Sequence, residues 1–68
     1  MQARFAAWFR STREEKGLSQ TEAAVQLKLS SPTLSRWETG TEPRVSHLLR
    51  ISKWAPIHAD KLLKLFDG

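Results

Sequence analysis

The sequence has no cysteine and no tyrosine, and only three glycines, three prolines and two histidines, His47 and His58. Without cysteine, and with so few imidazoles, neither a disulfide nor a structural zinc can staple the fold. The 68 residues fit one domain, and folding a chain this short removes only about 60% of its unfolded surface from water. Helix packing or association must therefore supply the stability. Long apolar runs are missing too. The longest, Phe5-Ala6-Ala7-Trp8-Phe9, has five residues, against roughly 20 for a membrane span, and it is too short for the apolar part of a secretory signal. The expected location is soluble and cytoplasmic. Catalytic signatures are also absent: there is no paired-carboxylate motif and no glycine-rich phosphate loop, and the histidines stand outside metal-ligand spacing. The expectation is a non-enzyme with no cofactor, no metal and no small-molecule ligand.

What is present is a basic excess, eleven Lys+Arg against seven Asp+Glu for a net +4, which points to a polyanionic partner without naming it. The excess is uneven. Residues 1–16 carry +2 (four basic, two acidic), 17–42 carry −1 (two basic, three acidic) and 43–68 carry +3 (five basic, two acidic).

Hydrophobic spacing predicts helices throughout and no strand. Phe5, Trp8, Phe9 and Thr12 form one helical stripe over about 2–15, and Gly17 is placed to end it. Ser19-Gln20-Thr21-Glu22 is an S-x-x-E capping box that starts a second, short helix with Ala23, Ala24 and Leu27 inward. After Lys28-Leu29-Ser30, a third helix covers about 31–39, with Ser30 as N-cap, Pro32 in the first turn, Leu34 and Trp37 inward and Gly40 as the stop. Thr41-Glu42-Pro43 reads as loop. Val45, Leu48, Leu49 and Ser52, with Ile51 at the edge, predict a fourth helix to about Trp54, which Pro56 ends. Leu62, Leu63, Leu65 and Phe66 predict a fifth from about Ala59, with His58 capping or solvated at its start.

The second and third helices, joined by three residues and crossing at small side chains, meet the geometric definition of a helix-turn-helix. Gly17-Leu18-Ser19-Gln20, Ala24, Leu27, Ser30, Leu34-Ser35-Arg36-Trp37-Glu38, Gly40, Pro43 and Leu48-Leu49 with Ile51 closely resemble the Cro/phage-repressor (XRE) family, over about residues 5–63. The resemblance implies an all-α, lambda-repressor-like five-helix bundle forming one domain over 1–68. It also implies binding of double-stranded operator DNA, most often in repression, as a homodimer on a roughly palindromic site.

Mapped by residue, the resemblance puts Gln20 beside a backbone phosphate and near the start of helix three, with Ser30, Arg44, Ser46 and His47 as further phosphate contacts. It assigns base readout to Ser31, Pro32, Thr33 and Arg36. Arg36 has the clearest chemistry, since a guanidinium can donate twice to guanine. Ala24, Leu34, Trp37 and Gly40 are structural. So is an Arg13–Glu38 pair, whether buried between helices one and three or exposed and weak. Lys28 stands where the family usually has glycine, so it must turn left-handed or let the turn relax. Trp54 has no evident place in the monomer core; with Ile57, Leu65 and Phe66 it forms a candidate dimer contact, or else it packs over Pro56. A reading from a different class is a protein-interaction module, such as an antitoxin component or a polymerase-subunit partner.

Overall fold

Each helix begins and ends where its local chemistry requires. In the computed structural model, which describes residues 3–55, 57 and 59–65, α1 runs Ala3–Glu15, α2 Gln20–Leu27, α3 Ser31–Glu38, α4 Val45–Trp54 and α5 Ala59–Lys64. Helices and their connecting turns account for the described residues, with no strand among them. The expected five-helix bundle is thus four helices of eight residues or more, followed by a helical segment of six.

Ser19 and Glu22 form the capping box at α2, the Ser19 hydroxyl accepting from the Glu22 amide at 3.1 Å and the Glu22 carboxylate accepting from the Ser19 amide at 2.9 Å. α1, α2 and α3 each end with an amide folded back five residues past a left-handed residue: Leu18 to Arg13, Leu29 to Ala24 and Thr41 to Arg36. A residue in the left-handed region is needed at each such end. Gly17 and Gly40 supply it with φ of +70° and +112°, but at α2 the residue is Lys28, at φ 59° and ψ 43°. The open question about Lys28 is answered: it turns left-handed and the tight turn is kept. Ser30 departs from expectation. It stands at the N-cap of α3 in an extended conformation, yet its hydroxyl pairs with that of Thr33 at 2.8 Å and caps no amide.

α3 packs against both α1 and α2, while α4 packs against α2 and α5. Between them lie Phe5, Phe9, Ala23, Ala24, Leu27, Leu34, Trp37, Ile51 and Leu62, all buried. Ala23 and Ala24 are the small side chains that let α2 approach its neighbours. Phe9 joins the layers, its ring edge-on to Trp37 at 5.5 Å and stacked on Trp54 at 5.3 Å, contacts worth about 0.5–1.5 kcal/mol each beyond their area.

Two expectations are corrected here. α4 does not bury the stripe read from its sequence: Val45 and Leu49 are 77% and 64% exposed, Leu48 and Ser52 are half-buried, and Ile51 is the fully buried anchor. The helix is rotated so that the neighbouring Arg50 reaches the end of α2, donating to the carbonyls of Leu27 and Lys28 at 3.4 and 3.3 Å. Trp54 does have a place in the monomer core. Besides stacking on Phe9, its indole N–H donates to Gln26 at 2.9 Å, and the Lys16 ammonium lies 5.1 Å from its ring centre. Ile57 and Leu65 are also partly buried against the core; the premise that Trp54 lacks a place there is the part that fails. Phe66, Pro56 and His58 lie outside the described residues.

Candidate nucleic-acid interface

α3 is short because its sequence stops it at both ends, Pro32 fixing the first turn and Gly40 the exit. At eight residues it is about 12 Å long, close to the width of a duplex major groove, about 12 Å. The Arg13–Glu38 pair ties its last residue to α1. The Arg13 guanidinium donates to both Glu38 oxygens, from Nε at 2.8 Å and from Nη2 at 3.0 Å, and a third bond runs from Nη1 to the Leu18 carbonyl at 2.9 Å. The two side chains are only 12% and 5% exposed, so the buried form of the pair is the one present. The hydrogen bonds it donates to Glu38 hold the Arg13 guanidinium above its ordinary pKa, against the opposing effect of burial. Arg13 is thereby committed to structure.

Gln20 is the first residue of α2, as the sequence implied, but its side chain does not reach the start of α3. Its amide donates to Glu38 at the far end of α3, 3.3 Å away. Sequence reading missed a competition here, because the Ser19–Glu22 box already occupies the α2 terminus and sets a carboxylate there. The bonds from Ser19 hold the Glu22 carboxyl below its ordinary pKa.

The structure brings Thr33, Arg36, Arg44 and His47 together. They line one cleft of about 360 Å³ between α3 and the start of α4, along with Trp37, Thr41 and Glu42. Arg36, in the last turn of α3, and Arg44, at the N-cap of α4, are both exposed. The His47 ring lies against Trp37 with centroids 5.5 Å apart, and its Nδ1 is buried without a hydrogen-bond partner. Ser30, Ser31 and Pro32 stand apart from this cleft at the start of α3, Ser30 and Pro32 exposed and Ser31 half-buried; Ser46 is exposed in the first turn of α4. Arg50 is the residue that sequence reading overlooked. The signal was Lys28: a left-handed helix end leaves carbonyls to satisfy, and Arg50 satisfies two of them.

Two short helices joined through a tight turn, the second held by a buried ion pair and flanked by exposed arginines, define a helix-turn-helix DNA-binding domain. The helix-turn-helix family model HTH_3 matches residues 9–54, and the chain belongs to this family, that of the Cro/phage-repressor-like DNA-binding regulators. No curated protein and no solved structure gives a significant match. No described helix is long and apolar enough to cross a membrane.

Proposed function

We propose that the protein is a transcriptional repressor that reads duplex DNA by setting α3 in the major groove, and that two copies share a roughly palindromic operator. The observation that carries this reading is the cleft where Thr33 and Arg36 of α3 meet Arg44 and His47 at the start of α4. It joins a residue suited to a base edge with residues suited to the sugar-phosphate backbone. Arg36 has no side-chain partner among the described residues, so its fork of donors is available to O6 and N7 of guanine, worth about 1–3 kcal/mol against the wrong base. Pro32 and Thr33 offer methylene and methyl surface to a thymine methyl, and Ser31 a hydroxyl. Arg44, Ser46 and His47 suit the sugar-phosphate backbone, as does Ser30 at the start of α3, whereas Gln20 could contact it only by leaving its bond to Glu38.

Salt dependence of duplex binding tests the division of labour. Arg44→Ala should weaken binding to all sequences alike and reduce the slope of log K against log salt by about 0.9, one phosphate contact. A variant with an unchanged slope, or a wild type that binds no duplex at low salt, would remove the assignment.

A further inference from the structure

A second cleft, of about 530 Å³, lies where the end of α2 meets the second half of α4, lined by Gln26, Leu27, Lys28, Arg50, Lys53 and Trp54. It shares no residue with the α3–α4 cleft. Half of its lining is cationic and none of it is a carboxylate. Two of its groups are held in place: Arg50 by the Leu27 and Lys28 carbonyls, Trp54 by Gln26 and the Phe9 ring. Two carbonyls leave most of the five guanidinium donors of Arg50 free. Lys28 and Lys53 have no side-chain partner among the described residues. Lys28 is also the one described non-glycine residue with positive φ, at a helix end where glycine would be unstrained, and retained strain of this kind collects at functional positions.

We infer that this cleft docks an acidic segment of a partner protein, its carboxylates on Lys28, Arg50 and Lys53 and one apolar side chain against the Trp54 indole. Charge complementarity selects an acidic occupant. The indole stacks on Phe9 and has the Lys16 ammonium 5.1 Å from its centre. What it offers the cleft is its remaining half-exposed edge, which an apolar side chain of a peptide can cover and a phosphodiester backbone cannot. The site stands independently of DNA reading by α3 and gives the regulator a second surface on which a partner can recruit or displace it.

The probe is a labelled acidic peptide, aspartates and glutamates flanking one phenylalanine, titrated by fluorescence anisotropy at low salt. Wild type should bind it, Lys53→Glu about tenfold more weakly and Lys28→Gly several-fold more weakly, with the affinity and salt slope for duplex DNA unchanged in both. Lys28→Gly relieves the left-handed strain, and urea denaturation of the variant beside the titration separates weaker binding from unfolding. The inference is overturned if the peptide does not bind, if both variants bind it like wild type, or if replacing the phenylalanine by glutamate leaves the affinity unchanged. It is equally overturned if the variants lose duplex affinity with a shallower salt slope, which would give the cleft to DNA backbone.

Discussion

Two single residues carry tests of how the helix-turn-helix is held. Arg13 joins three structural demands, gripping both oxygens of Glu38 and the Leu18 carbonyl. Arg13→Ala leaves the Glu38 carboxylate buried without its partner, which should destabilise the fold by about 3–5 kcal/mol, measured by urea denaturation followed through tryptophan fluorescence. A loss under about 1 kcal/mol would mean the pair behaves as an exposed one. Arg13→Lys should recover only part of the loss, since an ammonium cannot reproduce the two-pronged bond. Lys28 makes the opposite prediction. A left-handed residue with a side chain costs about 1–2 kcal/mol that glycine does not incur, while glycine gives back part of this through the entropy of the unfolded chain. Lys28→Gly should therefore raise stability, by roughly 0.5–1 kcal/mol after that offset, and a loss in the same denaturation experiment would show that the turn draws stability from the lysine side chain.

Among the elements, α2 shows most clearly what local sequence decides. Its capping box, its inward residues Ala23, Ala24 and Leu27, and its end before Lys28 are all written in adjacent residues, and all three appear in the structure. The box has a pH signature. Bonds from Ser19 depress the Glu22 pKa from 4.5, so the carboxylate's contribution is fully present above that value and is lost as pH falls through the lower folded one. Protection of the α2 amides, measured relative to intrinsic exchange at each pH, should fall over that acidic window, and Glu22→Gln should remove the window. α4 shows where the sequence became ambiguous. Val45, Leu48, Leu49 and Ile51 allow two rotations of the helix, and periodicity favoured the one that buries Val45 and Leu49. The actual rotation buries Ile51 and sends Arg50 to α2. That outcome depends on carbonyls 22 and 23 residues earlier in the chain, which no local window contains. The same distance concealed the place of Trp54, whose partners Phe9 and Gln26 lie on two other helices. On the candidate interface, the motif gave the residues of α3 and the arginine after it, but not the way Gln20 turns toward Glu38.

At the scale of the whole molecule, the charge excess and the small size acquire a common meaning. The segment containing α2 and α3 is slightly acidic, and the basic residues lie mainly in α1 and from Arg44 onward. On the proposed reading Arg44 grips the backbone beside α3 and α3 discriminates, while Arg50 and Lys53 lie on a separate cleft. The bundle measures 28 × 22 × 22 Å, smaller than the roughly 34 Å between reading helices placed one duplex turn apart. Two copies can thus sit side by side on one face of the duplex without interpenetrating. Trp54, Ile57 and Leu65 pack partly buried against the core of one copy, and on the proposed reading the shared site brings two copies together. Selection of bound sites from a random duplex pool, run in parallel on wild type and Arg36→Ala, tests this most directly. Wild type should enrich a roughly palindromic motif with a guanine in each half and half-sites one helical turn apart, and Arg36→Ala should lose the preference at that guanine alone. No enriched motif for wild type, or the same guanine retained by Arg36→Ala, would contradict readout by α3.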